Sequence, residues 1–378
     1  LPWTTHNADR LTMTLLMFAS GLFALILGAD LLVRGASRLA FSLGISPLVV
    51  GLTVVSFGTS APEVAVGIGA VLAGNADLAL GNAVGSNIFN VLFILGLSAM
   101  ITPLVVNIQL IRQEVPIMLG ASLLLCLLVL DGNLGLFDGI MLLTLMVVYT
   151  VFLVWQSRSQ GQAAQDEYAA EFAPDHPAPW LDRMPVQLAL IAVGLVLLVL
   201  GADWLVQASV VFAKALGVSD LIIGLTIVSA GTSMPEVATS IMAAIKGERD
   251  IAVGNVVGSN TFNILGSLGI AGVVSGAVGS QGLAVPEAML NFDLWVMTAV
   301  ALACLPVFMT GREIARWEGG LFFAYYLAYV GYLVLAAQNH DALGAFSGAM
   351  LSFVLPLTVI TLVVLALRKP VPGVPDSR

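Results

Sequence analysis

Apolar runs long enough to cross a lipid bilayer recur along the whole chain, each bounded by turn signals. A spanning helix needs about 20 apolar residues. Runs of that order fall near 12–33, 46–73, 78–101, 115–131, 134–155, 186–206, 219–245, 251–275, 291–310, 317–337 and 345–367. The pattern predicts eleven transmembrane helices and an all-α polytopic membrane protein. Two of the runs are interrupted in the same way: GLTVVSFGTSAPEVAV at 51–66 and GLTIVSAGTSMPEVAT at 224–239 share twelve of sixteen positions, and each places a proline and a glutamate inside apolar sequence.

The likeness is wider than these stretches. GADLLVRGASRLAFSLGIS at 28–46 matches GADWLVQASVVFAKALGVS at 201–219, and ALGNAVGSNIFNVLFILG at 79–96 matches AVGNVVGSNTFNILGSLG at 252–269, all at one offset of 173 residues. The chain therefore contains an internal repeat that starts at the first and sixth spans. Five spans per copy is an odd number, so the second copy is expected to enter the membrane from the opposite side. Inverted repeats of this kind characterise secondary transporters, whose substrate site lies where the repeats meet, near the bilayer midplane.

Basic residues orient the spans. With loops assigned alternately, one side receives Arg10 and Lys214, and the other receives the remaining twelve of the 14 lysines and arginines. The positive-inside rule then predicts the N-terminus outside and the C-terminus in the cytoplasm. The expected organisation is an N-terminal extension or tag remnant at 1–11, without signal-peptide features, and a first five-span repeat at 12–155. A polar cytoplasmic linker at 156–185 leads to the second, inverted repeat at 186–337, followed by an extra transmembrane helix and tail at 338–378.

Composition agrees. Of 378 residues 59 % are hydrophobic and 10 % charged, with a mean hydropathy of +1.00, whereas soluble domains carry about 25 % charged residues. The scattered basic residues form no patch, which argues against nucleic-acid binding. Cys126 and Cys304 lie in apolar runs without metal-binding or disulfide spacing and read as small core residues. The linker lacks the spacing of a calcium-binding loop.

Candidate chemistry centres on Glu63 and Glu236, acidic residues placed well inside the membrane. A charge there costs about 2.5–3.5 kcal/mol on insertion scales, so it is expected to be functional. Pro62 and Pro235 each remove an N–H and would free the carbonyls of Gly58 and Gly231. Thr59 with Ser60, and Thr232 with Ser233, add hydroxyls. The motif GNxxGSNxFN contributes Asn82, Ser86, Asn87 and Asn90, and in the second copy Asn255, Ser259, Asn260 and Asn263. Its glycines also match small-xxx-small helix packing. Two carboxylates among neutral oxygens, without thiol or imidazole, suit a hard cation such as calcium. Two negative charges balance one divalent ion, or the monovalent ions or protons that replace it.

Other polar residues receive simpler readings. Asp30 and Arg34 are four apart, but the second copy has Asp203 with Gln207, so a helix-end or interfacial role is expected. Glu114 and Glu287 sit near span starts and are expected to be solvated. His6, His176 and His340 fall in termini or loops, which excludes an intramembrane histidine relay. With no histidine, lysine or aspartate pair at membrane depth, nothing points to an enzyme.

GTSAPE with GNAVGSNIFN, and GTSMPE with GNVVGSNTFN, resemble the alpha-1 and alpha-2 repeats of the calcium/cation antiporter superfamily, especially prokaryotic sodium/calcium exchangers. The resemblance covers residues 12–337. It implies a ten-helix core in which the second, third, seventh and eighth spans are static and the first and sixth slide across them to alternate access. It further implies that Glu63 and Glu236 bind calcium with oxygens of Thr59 and Thr232. Sodium would use the same glutamates with Ser56, Ser60, Ser86, Ser229, Ser233 and Ser259, while Asn90 and Asn263 flank the centre. Several members have aspartate where this chain has Asn263, which argues against potassium co-transport. A proton/calcium exchanger of the same superfamily is the alternative, although the many hydroxyls favour sodium. The expected partners are the bilayer and the transported ions, with no cofactor and no nucleic acid. The chain is expected to function as a monomer in the prokaryotic inner (plasma) membrane.

Overall fold

The computed structural model describes residues 3–159, 183–215, 229–279, 282–338 and 340–367. Among them nine helices are long and apolar enough to cross a membrane, and a bent pair makes a tenth. In chain order the helices are α1 (Trp3–Leu43), α2 (Pro47–Thr59), α3 (Ala61–Leu72), α4 (Asp77–Ile101), α5 (Leu110–Asp131) and α6 (Leu136–Ser159). There follow α7 (Met184–Ala215), α8 (Met234–Ile245), α9 (Arg249–Ala277), α10 (Met289–Met309), α11 (Arg316–Ala337) and α12 (Ala342–Thr361). Residues 3–11 are helical and continuous with the rest of α1.

The eleven expected spans map onto this list with two changes. The run 46–73 is two helices, α2 and α3, bent by 42°. Of the run 219–245, residues 219–228 lie outside the described residues, and the remainder is the short stretch Ser229–Gly231 followed by α8. Most of the 156–185 linker also lies outside the described residues.

The interior is built from the two Gly-rich helices. α9 has Ile251 through Thr261 buried without interruption, so it is covered on every side. A helix covered on every side sits at the centre of the bundle, and its buried polar residues must then find partners inside the protein. The outer helices instead expose large apolar side chains, among them Phe137 at 85 % and Leu130 at 73 %, which is the surface a lipid environment requires.

α1 and α7 cross at very short range. A Cβ placed on Gly28 would lie 2.8 Å from the Gly194 carbonyl oxygen, and one on Gly201 would lie 2.8 Å from that of Gly21. Small residues permit such backbone contact, which replaces the hydrophobic drive that lipid does not supply. The crossing is reciprocal: Gly28 meets Gly194, the counterpart of Gly21, and Gly21 meets Gly201, the counterpart of Gly28, since 21 + 173 = 194 and 28 + 173 = 201.

Two short antiparallel ladders tie the halves together. β1 (Leu104–Val105) pairs with β4 (Glu313–Ile314), and β2 (Asn133–Leu134) with β3 (Leu283–Ala284). Within α1, not at its end, Asp30 pairs with Arg34 at 2.8 Å and with Lys246, just beyond α8, at 2.5 Å. The ion pair is therefore real and reaches across the halves, whereas Asp203 takes a hydrogen bond from Gln207 at 2.7 Å. α12 is held to α11 by the Tyr325 hydroxyl, 2.5 Å from Thr358 Oγ1.

Glu114 corrects the sequence reading. It is fully buried and accepts hydrogen bonds from Gln109 Nε2 (2.8 Å), Gln113 Nε2 (2.7 Å) and the Tyr149 hydroxyl (2.7 Å). It lay at the edge of an apolar run, where composition cannot distinguish a solvated end from one roofed by neighbouring helices. Its structural counterpart is Asp293, not Glu287: both close a five-residue π-helical turn, Leu110–Glu114 and Met289–Asp293, and both accept from a tyrosine, Tyr329 at 2.8 Å in the second case. Glu287 is exposed as expected.

Candidate cation site

The polypeptide breaks at Ser60 and again at Ser233. Each serine has φ near −90° and ψ near zero (−85° and 8°; −89° and 7°) and caps a new helix, α3 or α8. Pro62 and Pro235 then fall in the first turn, where a missing N–H costs nothing. The interruption that the prolines mark in the sequence is thus a helix restart two residues before each of them. The restart places Glu63 and Glu236 in the first turns of α3 and α8, where the positive end of the peptide dipoles favours a carboxylate.

Both glutamates are buried, at 1 % and 0 % exposure. Each is held by the half of the chain it does not belong to. Ser60 Oγ donates to Glu236 Oε1 at 2.9 Å, and Ser233 Oγ donates to Glu63 Oε1 at 3.0 Å. The threonines repeat the exchange: Thr59 Oγ1 donates to Asn255 Oδ1, and Thr232 Oγ1 to Asn82 Oδ1, both at 3.1 Å. Every one of these contacts has its partner at the 173-residue offset.

α4 and α9 complete the enclosure. Ser86 Oγ lies 3.0 Å from Ser233 Oγ, and Ser259 lies beside Glu236. Asn90 and Asn263 follow one turn later on the same helix faces and open the π-helical turns Asn90–Leu95 and Asn263–Leu268. Such turns recur at functional sites because they redirect side chains within a helix.

Five buried oxygens in this cluster have no hydrogen-bond partner: Glu63 Oε2, Glu236 Oε2, Asn90 Oδ1, Asn263 Oδ1 and Ser259 Oγ. An unpaired buried acceptor costs about 1–3 kcal/mol, more if charged. Five together are a set of acceptors that a dehydrated cation would satisfy. Among the described residues no group of three or more His, Cys, Asp or Glu gathers anywhere, so any cation here is held by two carboxylates and neutral oxygens.

One sequence-derived candidate makes a local bond instead of a contact with the glutamates. Ser56 is buried, but its hydroxyl donates to the Leu52 carbonyl at 2.7 Å rather than reaching the glutamates. The side chain of Ser229 lies outside the described residues. Conversely, Asn255, whose Nδ2 also donates to Ser240 Oγ at 2.9 Å, and the pair Asn87 and Asn260 are built into the site. Their presence in both copies of the second motif was the available signal, but their partners depend on tertiary contacts.

The family model for sodium/calcium exchanger protein matches residues 13–155 and 186–335. CaxA of Alkalimonas amylolytica, an antiporter by name, is 38 % identical over 320 residues, 83 % of this chain and 96 % of its own length. The sodium/calcium exchanger MaX1 of Methanosarcina acetivorans is 32 % identical over 349 residues, covering 85 % of this chain and 98 % of its own. A solved structure of the sodium-calcium exchanger NCX_Mj superimposes with a TM-score of 0.71 at 30 % identity, covering 85 % of this chain and 99 % of that one.

Proposed function

The chain belongs to the sodium/calcium exchanger family, and from that premise we propose that it is a secondary active antiporter exchanging sodium for calcium by alternating access. Cation antiport by an integral membrane protein follows from the family; the choice of ions and of site residues is our reading. One observation carries it: two buried glutamates, one from each half of the chain, each fixed by a serine of the other half and each left with an unpaired oxygen. Two carboxylates match the charge of one calcium ion, and calcium accepts the irregular 6–8-oxygen shells that hydroxyls and amides can supply.

In this reading Glu63 and Glu236, with oxygens of Thr59 and Thr232, bind calcium. Sodium ions replace it on the same glutamates, helped by Ser56, Ser60, Ser86, Ser229, Ser233 and Ser259, with Asn90 and Asn263 flanking the centre. The halves are two inverted five-helix repeats, the N-terminus is outside and α12 is an addition to a ten-helix core. The offset-related exchange of contacts supports this arrangement. The glycine-lined crossing of α1 and α7 supports their moving as a pair across the static α2–α4 and α8–α9. The chain is placed in the prokaryotic inner (plasma) membrane and acts as a monomer. Any imbalance of charge per cycle then couples calcium extrusion to voltage at about 2.3 kcal/mol per charge per 100 mV.

Exchange differs from conduction in needing a counter-ion on the far side. In sealed vesicles containing the purified protein, uptake of radiolabelled calcium is expected to saturate and to stop when exchangeable cations are removed from the lumen. Uptake that persists without a luminal cation contradicts the proposal.

A further inference from the structure

The four asparagines of the GSNxFN motifs form a closed set of hydrogen bonds with a direction. Asn87 Nδ2 donates to the Asn260 backbone carbonyl, and Asn260 Nδ2 donates to the Asn87 backbone carbonyl, both at 3.1 Å. A backbone carbonyl can only accept, so each contact fixes which edge of the side-chain amide carries the NH2 group. The other edge must then be oxygen. Asn87 Oδ1 accepts from Asn263 Nδ2 at 3.1 Å, and Asn260 Oδ1 accepts from Asn90 Nδ2 at 2.9 Å. The orientation passes on: Asn263 and Asn90 turn their NH2 groups toward the pair and leave Oδ1 free, and these are two of the five unpartnered buried oxygens.

All four side chains are buried, at 3 % exposure or less. Water therefore offers no alternative partner for a flipped amide. An asparagine has nearly the same shape either way round, yet one edge attracts a cation and the other repels it. Packing alone does not decide between them; the donor and acceptor pattern does.

We propose that Asn87 and Asn260 are positioning residues for the exchange site: anchored on each other's backbone carbonyls, they lock the Asn263 and Asn90 amides with oxygen toward the transported cation. This rests on the reading that Asn90 and Asn263 face that cation, which their position one turn beyond Ser86 and Ser259 supports. Neither Asn87 nor Asn260 touches the ion in this account. With only two carboxylates present, the two amide oxygens are a large share of the neutral ligands, and one relay from each half orients both.

A double-mutant cycle separates orientation from packing. A carboxylate carries oxygen on both edges and cannot be turned the wrong way, so Asn263→Asp makes position 263 independent of Asn87. In proteoliposomes, Asn87→Leu is expected to raise the calcium concentration for half-maximal uptake about 10- to 100-fold, since the orienting amide contact is lost and a donor can turn inward. In the Asn263→Asp background the same change is expected to cost less than about threefold. Equal losses in both backgrounds would overturn the inference. Asn87→Ala removes the same amide with no added bulk and is expected to follow the same pattern, a loss in the native background that shrinks to less than about threefold in Asn263→Asp. Equal impairment by Asn87→Ala in both backgrounds overturns the inference even where leucine does not fold. Glu63→Gln serves as the reference: normal uptake in that variant removes the site reading itself, whereas a dead Glu63→Gln with no Asn87 coupling removes only the relay.

Discussion

Glu63→Gln and Glu236→Gln are each expected to lower calcium affinity by at least about a thousandfold, a loss of about 4 kcal/mol, while the protein still folds. Glutamine keeps the shape of the side chain, and its remaining oxygen can still accept the serine hydroxyl at 2.9 or 3.0 Å. What changes is the atom now unpaired: an anionic oxygen becomes an NH2 group facing the cation. Stability without calcium is expected to hold or rise, because a buried charge without an opposite charge is expensive to fold around. The two effects have opposite signs, so a melting experiment distinguishes them. Calcium at about 100 times its dissociation constant stabilises a binding-competent protein by about 2.7 kcal/mol; neither variant is expected to show that gain. The two glutamines are expected to behave alike, since each carboxylate is half of one site. Native exchange in either variant contradicts the assignment.

Gly258→Ala is the second large effect, and it acts through the backbone. A Cβ at this position would lie 2.7 Å from the Leu52 carbonyl oxygen, 2.8 Å from Leu52 Cα and 2.8 Å from Ser56 Oγ. Two of these atoms are backbone and cannot rotate away, so α2 must move off α9. One turn earlier on α9, Asn255 accepts the Thr59 hydroxyl from the end of α2, and the break at Ser60 follows directly. Displacing α2 therefore misplaces both Ser60 and the Glu236 it holds. Overpacking of this kind costs about 1–3 kcal/mol, and a shift of about an ångström at a site can cost about 100-fold in rate. Gly120→Ala is the control, since no heavy atom lies within 4 Å of a Cβ there. It is expected to leave exchange unchanged and the melting temperature level or higher, because alanine favours helix. Equal losses in the two variants would show that the close contact is not what matters.

Much of the site could be read from the chain because duplication makes rare features visible. One glutamate in an apolar run is ambiguous; two at the same offset, beside the same hydroxyls, point to a shared role. The structure brings Glu63, Glu236, Ser60, Ser233, Thr59 and Thr232 into one network. The small-xxx-small reading of Gly254 and Gly258 also agrees with their close approach to Leu48 and Leu52.

What escaped the sequence did so for physical reasons. A restart at Ser60 leaves the apolar pattern intact, so it resembles a kink at Pro62 until backbone angles are known. The π-helical turns at Asn90 and Asn263 add one residue to a turn without any mark in composition. That the Ser56 hydroxyl donates to a backbone carbonyl in its own helix, a local competition common for serine, is likewise invisible in the sequence. The burial of Glu114 depends on Tyr149, 35 residues away. The orienting role inferred for Asn87 depends on a carbonyl in the other half of the chain.

The most direct test of sodium/calcium exchange loads sealed proteoliposomes with calcium and imposes a sodium gradient or a pH gradient separately, each at fixed membrane potential. Inward sodium is expected to drive saturable calcium efflux, abolished by Glu63→Gln, while the pH gradient alone drives none. Calcium efflux that ignores sodium and follows protons would contradict the account and assign the same two glutamates to proton/calcium exchange.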